Sequence, residues 1–338
     1  MTHAAKKFAS NAWYVAARAE ELGEALLARS IIGLPVVLYR KADGSPCALL
    51  DACAHRLYPL SKGFREGDEI RCSYHGFKFD PLGQCTHIPS SEHIPEQAKV
   101  RSFPLVERYD MAWIWMGDPE LADPSLIPDC HWLNTGNKVF YYVHLQADYQ
   151  LLIENLLDFS HVPFVHADQQ GHPELARVVP ETEMAGRTVV SKRLMRGSIT
   201  PSLWADVMGL RQGQPMDHDQ VFIFNAPSSV CIRQKIWASG AEDAAYPFST
   251  SHFMTPDGDG ATHYWSWVSL EWNGVSPASL ERMDVGAREV AQQDVVALQA
   301  QQRTQDQLRR HGERPVIVSV PFDRGSLLSR RAIASLLD

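Results

Sequence analysis

The sequence predicts an α+β protein in which an all-β N-terminal domain is followed by an α+β domain with an antiparallel sheet flanked by helices. Three observations lead to this fold class. Residues 11–117 contain short runs that are rich in β-branched and aromatic residues. Residues 117–129 (GDPELADPSLIPD) hold three Pro and three Asp, which is typical of a connector. After this connector, segments with helical periodicity flank a long region of strand-like alternation.

The N-terminal domain is predicted to span residues 1–125. Its strand candidates are separated by Gly, Pro and Asp-Gly turns, of which Asp43-Gly44 is an example. The candidates are the runs NAWYVAA, LPVVLYR, PCALLDAC, IRCSYHGFKFD and AWIWMG. Short strands that are interrupted at this spacing indicate a small all-β domain.

The C-terminal domain is predicted to span residues 126–338. Residues 148–161 (DYQLLIENLLDFSH) carry leucines near helical spacing, and Pro163 is expected to end or kink that helix. Residues 187–275 return to strand-like alternation, as in TVVSKRLM and THYWSWVSLEW. Residues 278–310 form a long helix candidate. Helices on either side of a strand-rich region therefore complete the α+β prediction.

Composition and charge argue against several classes of protein. The 338 residues carry a formal net charge of −8 and show no basic stripe, which argues against a nucleic-acid partner. No run approaches the roughly 20 apolar residues that span a bilayer, and the N-terminus lacks the apolar region of a signal peptide. Six Cys at irregular spacing do not resemble a disulfide scaffold. We therefore expect a cytoplasmic protein that binds neither nucleic acid nor membrane.

Two short clusters combine Cys with His: Cys53-Ala-His55 and Cys72-Ser-Tyr-His75, with sixteen residues between them. Thiolate and imidazole are both good metal ligands. Scattered core residues and a structural zinc site are alternatives, but zinc sites usually pair Cys with Cys and His with His. In a Rieske [2Fe–2S] cluster, one iron takes two Cys and the other takes two His. Two loops that each bring one Cys and one His satisfy both irons.

The segment CAHR…CSYHGFKFDPLGQC resembles the Rieske motif of the Rieske non-haem iron oxygenases. The resemblance implies that Cys53 and Cys72 hold one iron, whereas His55 and His75 hold the other. It also puts Tyr74 where family members hydrogen-bond a sulfur of the cluster. The chain departs from the usual family residues at positions 57, 58 and 73, which leaves the ligands unaffected.

A second candidate metal site follows the Rieske motif. Asn155, Asp158 and His161 are three residues apart, so they share one drifting face if the segment is helical. Pro163 then turns the chain, which lets His166 approach the same point. Two His with one carboxylate form the facial triad of non-haem Fe(II) oxygenases, which leaves positions open for O2. The alternative is two ordinary His that flank a Pro turn, with a surface Asp nearby.

The pattern N-L-L-D-x-x-H-x-x-x-x-H resembles the same oxygenases. The resemblance implies that His161 and His166 are iron ligands. In this family the third ligand is an Asp on a late helix, which corresponds here to Asp294 in the run VAQQDVV. Asp284 is the nearest rival on the same predicted helix, and a solvated helical Asp is the alternative interpretation.

The resemblance gives Asp158 a task other than iron ligation. In the family, an Asp at this position bridges a cluster His of one subunit to an iron-ligand His of its neighbour. An electron would then leave one subunit at His75 and enter the next at Asp158. Asn155 would lie just outside the iron ligands, and Asp158 would orient a ligand His.

The resemblance covers nearly the whole chain, and the nearest group is the vanillate O-demethylase and dicamba monooxygenase oxygenases. It implies a homotrimeric terminal oxygenase that uses O2 and electrons from a separate NAD(P)H-dependent reductase of the flavin and ferredoxin type. The implied reaction is O-demethylation of a methoxylated aromatic acid or methyl hydroxylation, in the catabolism of aromatic compounds. N-demethylation or ring hydroxylation is the alternative, and a non-enzymatic Rieske electron carrier is a further one. The chain has no G-x-G-x-x-G motif, so the nicotinamide must bind elsewhere.

Substrate contacts are expected mainly from residues 187–275. His252 occupies a place where related demethylases have polar substrate contacts, and an ordinary strand His is the alternative. Arg211, Asn225 and Trp267 are further candidates. An aromatic acid or ether would suit a pocket with aromatic walls and one or two polar anchors.

Overall fold

The computed structural model describes residues 7–337, which form two compact units. The first unit contains residues 7–127 and the short segment 255–259, and the second contains residues 128–254 and 260–337. Residues 1–6 and 338, at the outer ends of the two predicted domains, lie outside the described residues. Within residues 7–337, no helix combines the length and the apolar character that crossing a bilayer requires.

The first unit is built from short strands joined by turns. Its strands are β1 (Trp13–Arg18), β2 (Leu27–Ile31), β3 (Leu34–Arg40), β4 (Pro46–Leu50), β5 (Phe64–Glu66), β6 (Glu69–Arg71), β7 (Lys78–Phe79), β8 (Cys85–His87), β9 (Leu105–Arg108) and β10 (Met111–Trp115). They form three antiparallel sheets with the orders β1-β10-β9, β2-β3-β4 and β5-β6-β7-β8. Single 3₁₀ turns lie at Ala19–Glu21, Leu60–Lys62, Pro119–Leu121 and Pro124–Leu126.

Two predicted strands stop before the Cys/His clusters. β4 ends at Leu50 and β6 ends at Arg71, so Cys53 and Cys72 lie in the loops that follow these strands. The prediction of strand through the whole run IRCSYHGFKFD was therefore wrong in its middle. The physical reason is that Cys72 O accepts a hydrogen bond from Gly76 N within the loop, so the chain turns instead of continuing the ladder.

The second unit contains one large antiparallel sheet with helices. Its strands are β11 (Lys138–Leu145), β12 (Glu181–Ala185), β13 (Thr188–Ile199), β14 (Pro215–Asn225), β15 (Ser229–Ala238), β16 (Tyr246–Pro256) and β17 (Thr262–Leu270), in the order β11-β17-β16-β15-β14-β13-β12. Its helices are α1 (Tyr149–Leu157), α2 (Val162–Val165), α3 (Ser202–Met208), α4 (Pro277–Arg310) and α5 (Arg324–Ala334). Further 3₁₀ turns lie at His131–Asn134, Phe159–His161, Pro173–Ala176, Glu242–Ala244 and Pro321–Asp323. The predicted fold class is confirmed.

The helix predicted over residues 148–161 is shorter in the structure. Asp148 caps its start by accepting a hydrogen bond from Gln150 N (2.9 Å), and α1 ends at Leu157. Asp158 then has extended φ and ψ angles of −126° and 97°. The prediction that Pro163 ends the helix was wrong, because α1 has already ended and Pro163 lies in the first turn of α2. His161 therefore does not share a helical face with the residues of α1.

The long helix predicted over residues 278–310 is confirmed as α4. Ser276 caps it by accepting a hydrogen bond from Ser279 N (3.0 Å), and Pro277 takes the first helical position. Small residues on its buried face allow close approach to α3: a Cβ added to Gly286 would overlap the side chain of Leu203. The same helix carries Asp294, so its packing positions this carboxylate.

Candidate metal centres and active site

Each Cys/His cluster lies in a loop that is closed by the same pair of main-chain hydrogen bonds. In the first loop, Cys53 N donates to Tyr58 O (2.9 Å) and Leu57 N donates to Cys53 O (2.8 Å). In the second, Cys72 N donates to the carbonyl five residues later (2.8 Å) and Gly76 N donates to Cys72 O (2.9 Å). Leu57 and Gly76 hold the same place in their loops, with φ angles of 56° and 75°. The two clusters therefore share one local backbone frame.

The four side chains are sorted into a buried Cys pair and an exposed His pair. Cys53 and Cys72 are 2% and 1% exposed, and their thiols hydrogen-bond to each other. Burial and this neighbouring thiol raise the pKa of Cys53 to about 11. The rings of His55 and His75 are 4.4 Å apart at 74°. A [2Fe–2S] cluster with two Cys on one iron and two His on the other requires this sorting, so the residues fit the group.

Aromatic side chains surround the His pair. The His55 ring stacks on Phe77 with 4.8 Å between centroids. The Tyr74 ring lies 4.0 Å from His75 and 5.4 Å from Tyr58, and Tyr74 is 57% exposed. Within residues 7–337 the Tyr74 hydroxyl has no hydrogen-bond partner, so its predicted contact with a cluster sulfur stays a prediction.

A second set of ligand groups converges in the C-terminal unit. The ligand atoms of His161, His166 and Asp294 all lie within 4.8 Å of one another. Asp294 Oδ1 is 3.1 Å from His166 Nε2 and 3.5 Å from His161 Nε2. The rival Asp284 instead forms an exposed ion pair with Arg288 at 2.9 Å. The structure therefore brings together the three residues that the resemblance implied as iron ligands.

Both imidazoles of this site are oriented through Nδ1. The main-chain oxygen of Asp158 lies 2.6 Å from His161 Nδ1, and Gln293 Oε1 lies 2.6 Å from His166 Nδ1. Since both oxygens are acceptors, each Nδ1 carries a proton and each Nε2 faces Asp294, where the deprotonated nitrogen can bind a metal. Sequence analysis missed Gln293, although its position next to Asp294 on α4 was a signal that could have suggested it.

Asp158 acts through its backbone within this subunit. Its carbonyl contacts His161, while its carboxylate Oδ1 accepts a hydrogen bond from Ser160 N (2.8 Å) and caps the 3₁₀ turn. The Asp158 group that contacts His161 is therefore the carbonyl and not the side chain, and the predicted role of Asp158 in orienting a ligand His stays a prediction. The bridge between subunits stays a prediction.

Asn155 links two of the ligand groups. Its Nδ2 donates to Asp294 Oδ1 (3.1 Å) and lies 3.5 Å from His161 Nε2. Its Oδ1 is buried and has no hydrogen-bond partner among the described residues. Asn155 therefore fixes the carboxylate and leaves a free acceptor beside the three ligands. Two imidazole nitrogens and one carboxylate are the donor set of a ferrous facial triad, so these residues fit a mononuclear iron.

The two imidazoles have opposite electrostatic environments. Burial lowers the pKa of His166, but the hydrogen bond and charge of Asp294 outweigh burial, so the pKa is raised. At His161 burial dominates over the attraction of Asp294, so the pKa is lowered. A proton in the metal-free site therefore resides preferentially on His166. Because a metal binds the deprotonated imidazole, that proton competes with the metal.

A partly open cavity lies beside this site. Its lining is aromatic, aliphatic and neutral polar apart from the three ligand groups, and no Lys or Arg lines it within the described part of the chain. The aromatic and neutral polar lining residues are Tyr141, Asn155, Phe159, Gln170, Trp204, Gln234, Thr250, His252 and Tyr264. An apolar cavity with a few convergent polar groups is the usual form of a small-molecule site.

The predicted substrate residue His252 lies in this cavity, but its nitrogens already have partners. Nδ1 contacts Tyr264 Oη (2.8 Å) and Ser266 Oγ (3.1 Å), and Nε2 contacts Thr250 Oγ1 (2.9 Å). Burial lowers the pKa of His252 to about 3, so the imidazole is neutral at pH 7. Its role in substrate binding stays a prediction.

The other substrate candidates are not among the residues that line the cavity. Asn225 accepts a hydrogen bond from Thr188 (3.0 Å) at the end of β14. The Trp267 ring packs against Phe140 at 4.6 Å. Arg211 lies in the loop between α3 and β14. Sequence analysis missed Gln234. Its position in a segment of strand-like alternation was the signal that could have suggested it.

Comparison with known families gives matches in both parts of the chain. The model of the Rieske [2Fe-2S] domain matches residues 12–104. The model of the vanillate O-demethylase oxygenase C-terminal domain matches residues 145–338. The Cys/His loops lie in the first match, and the convergent His and Asp residues lie in the second. The predicted [2Fe–2S] cluster and mononuclear iron are confirmed as the cofactors.

Similar proteins cover almost the full length. The dicamba O-demethylase oxygenase component of Stenotrophomonas maltophilia is 34% identical, over 92% of this chain and 93% of that protein. The vanillate O-demethylase oxygenase subunit of a Pseudomonas species is 31% identical, over 98% and 95%. The crystal structure of dicamba monooxygenase bound to dicamba has a TM-score of 0.86 at 32% identity, over 97% of both chains.

Proposed function

We propose that this chain removes the methyl group of a methoxylated aromatic acid. The premise is that the chain belongs to the Rieske non-haem iron oxygenases of the vanillate and dicamba O-demethylase group. The observation that carries the proposal is that His161, His166 and Asp294 converge at the wall of one cavity with aromatic sides. Such a triad leaves one side free for O2 while a planar substrate lies in the cavity.

We assign the ligands residue by residue. Cys53 and Cys72 would hold one iron of the cluster, and His55 and His75 would hold the other. The mononuclear iron would be held by His161 Nε2, His166 Nε2 and the Asp294 carboxylate. When bound, the cluster supplies an electron and the mononuclear iron supplies the site of O2 activation.

The chain's own residues prepare the site. Two carbonyl oxygens, one from the backbone of Asp158 and one from the side chain of Gln293, hold the imidazoles by their Nδ1 protons. Asn155 holds the carboxylate of Asp294. Phe159 and Trp204 line the cavity and would contact the aromatic ring.

The proposed overall reaction balances as follows. A methoxyarene, O2, two electrons and two protons give a phenol, formaldehyde and water. Oxygen insertion into a methyl C–H bond gives a hemiacetal. Its bond between the former methyl carbon and the aryl oxygen then breaks, and the hydroxyl proton moves to that oxygen, which releases the phenol and formaldehyde. Methyl hydroxylation is the same oxidation without that final cleavage.

We infer that a separate partner supplies the electrons. The dicamba relative is named an oxygenase component and the vanillate relative an oxygenase subunit. The proposed partner is an NAD(P)H-dependent reductase of the flavin and ferredoxin type. We further propose a cytoplasmic homotrimer whose functional domains are residues 1–125 and 126–338. In that trimer, His75 of one subunit would pass its electron to Asp158 of the next.

The proposal is tested with a panel of methoxybenzoates, a generic reductase and detection of formaldehyde. Formaldehyde in amounts equal to the phenol product is expected, and the Asp294→Ala variant is the control that should release none. Methoxybenzoates that release no formaldehyde, with hydroxylated products from unmethylated aromatics, would contradict O-demethylation and support ring hydroxylation.

N-dealkylation is the second candidate function. A relative named the chloroacetanilide N-alkylformylase oxygenase component, from Rhizorhabdus wittichii, is 29% identical over 97% of this chain. N-methylanilines that release formaldehyde when methoxybenzoates do not would favour it. A Rieske electron carrier predicts about two Fe per subunit, whereas an oxygenase predicts about three.

A further inference from the structure

A chain of buried polar side chains leads from Arg193 to the cavity. Arg193 on β13, Gln220 on β14 and Gln234 on β15 are directly opposite one another in the register of three neighbouring strands. Arg193 Nε donates to Gln220 Oε1 (2.7 Å), and Gln220 Nε2 donates to Gln234 Oε1 (2.7 Å). The three residues are 4%, 1% and 7% exposed. This chain of three side chains therefore runs across the sheet without access to bulk water.

The direction of every hydrogen bond in this chain is fixed by Arg193. A guanidinium has donors only, so the atom of Gln220 that faces it must be the amide oxygen. The Gln220 atom that faces Gln234 is then the NH2 group, and it requires an acceptor. Amide orientations are normally ambiguous, but here the charge at one end determines both.

Gln234 consequently presents its NH2 group to the cavity. Its Oε1 already accepts from Gln220 and from His218 Nε2 (3.0 Å), which uses both lone pairs. Gln234 lines the cavity, and its Nε2 has no hydrogen-bond partner within residues 7–337. An unused donor at a cavity wall is a site for an acceptor on a ligand.

The charge of Arg193 also favours an anion at this place. Its Nη1 donates to Leu175 O (3.0 Å), and its guanidinium lies 5.5 Å from the Phe222 ring. Among the described residues it forms no ion pair within 4.0 Å, and its Nη2 is buried without a partner. Burial lowers the pKa of Arg193 to about 10, while the charge of Asp158 opposes this shift, so the group is still charged at pH 7. Although the charge of Asp158 partly offsets it, the guanidinium charge polarises the two amides toward the cavity.

We propose that Gln234 binds a carboxylate on the aromatic substrate and so determines specificity, with Arg193 and Gln220 as positioning residues. This inference rests on the proposed function, since it names the group that accompanies the methoxy substituent. The cavity lining offers no Lys or Arg within the described residues, so the amide dipole chain takes the place of a direct ion pair.

The first test measures binding without turnover. Calorimetry on oxidised holoenzyme, without reductase, would compare each methoxybenzoate isomer with its neutral methoxybenzamide. Because a hydrogen bond to a charged group contributes about 1.5–3 kcal/mol, Gln234→Met should weaken methoxybenzoate binding about 10- to 150-fold. The amide, whose carbonyl can accept only a neutral hydrogen bond, should weaken less, by about 2- to 10-fold. The matched control is Gln307→Met, on the exposed side of α4, which should alter neither affinity.

The second test reverses the hydrogen bond between the side chains of residues 220 and 234. In Gln220→Glu, the carboxylate accepts from Arg193 and also from Gln234 Nε2, so Gln234 turns its oxygen to the cavity. Methoxybenzoate binding should then fall by at least 10-fold, while ligands with N–H donors gain. If Gln220 were only structural, both ligands would weaken alike, and the cluster absorption spectrum would report any misfolding.

Two outcomes overturn the inference. One is a wild-type protein in which no methoxybenzoate isomer binds more tightly than its amide. The other is a pair of variants in which both ligands change in parallel. Formaldehyde release is measured separately. If the protein releases formaldehyde but Gln234→Met keeps the wild-type preference for the carboxylate over the amide, only this inference is rejected. Selective carboxylate binding without formaldehyde from any methoxybenzoate rejects the proposed function alone.

Discussion

Replacement of Gln293 by Met should weaken binding of the mononuclear iron. Gln293 Oε1 is the acceptor for His166 Nδ1 at 2.6 Å, and the His166 side chain is 2% exposed. Removing this acceptor leaves a buried N–H group unsatisfied, which costs about 1–3 kcal/mol. Loss of a group that orients a metal ligand typically lowers metal affinity about 10- to 100-fold, or roughly 1.4–2.8 kcal/mol. The first cost is present with and without iron and lowers stability, whereas the second gives the expected 10- to 100-fold weaker site.

The measurement is a titration of iron-depleted protein with Fe(II) in competition with a chelator of known affinity. The [2Fe–2S] absorption serves as the internal control, since it reports on the Cys/His loops and not on the mononuclear site. Gln292→Met is the matched control, because Gln292 is the exposed neighbour on α4. Gln293→Glu should bind iron more tightly than wild type, since a carboxylate acceptor makes the imidazole a stronger ligand.

A role in packing alone makes a different prediction. Met is close to Gln in volume, so a packing residue would tolerate the exchange and the affinity would stay within about 3-fold of wild type. That result, or an equal loss in Gln292→Met, would refute the argument. A gain in Gln293→Glu cannot come from packing, because Glu and Gln have the same shape.

Three further predictions concern other parts of the chain. Asp294→Asn should keep the cluster absorption but lose the mononuclear iron, as total iron analysis would show by a fall from about three to about two Fe per subunit. Fe(II) binding at pH 6.5 should release a proton, because the raised pKa leaves metal-free His166 mostly protonated there; calorimetry in buffers of different ionisation enthalpy should show this release vanish at higher pH. Gly63→Ala should lower the unfolding free energy by about 2–3 kcal/mol, since a Cβ would overlap Arg71 O, whereas Gly23→Ala has open space. Thermal unfolding of Gly63→Ala and Gly23→Ala measures this difference in stability.

The Cys/His loops could be predicted because their chemistry is local. Each loop brings its own Cys and His within four residues, and the whole motif fits between Cys53 and His75. Sorting into a buried Cys pair and an exposed His pair adds only the orientation of two short turns. The strand boundaries were less predictable, because β-branched and aromatic residues in IRCSYHGFKFD favour a strand while the loop's hydrogen bonds require a turn.

The polar chain behind the cavity could not be predicted because its members are distant in sequence. Arg193, Gln220 and Gln234 are 27 and 14 residues apart, and they meet only through strand register. Alternation shows that a residue faces one side of a strand, but it does not say which residue lies opposite. Gln293 was missed for a similar reason: its partner His166 is 127 residues away.

The end of α1 at Leu157 separates two roles of Asp158. In a continuous helix, the Asp158 carbonyl would accept from the N–H of Val162. Here Val162 N donates to Phe159 O, so the Asp158 carbonyl is free to accept from His161 Nδ1. Since this carbonyl belongs to the backbone, Asp158→Asn leaves the His161 contact in place and changes only the side chain.

This separation sharpens the test of the proposed electron bridge. If the Asp158 carboxylate carries electrons between subunits, Asp158→Asn should keep both the cluster spectrum and the mononuclear iron, while coupled turnover is nearly abolished. Turnover near wild type would contradict the bridge. Loss of iron would mean instead that the carboxylate supports the site itself, through the cap it gives to Ser160 N. Iron content and turnover measured on one variant therefore distinguish electron transfer from structural support.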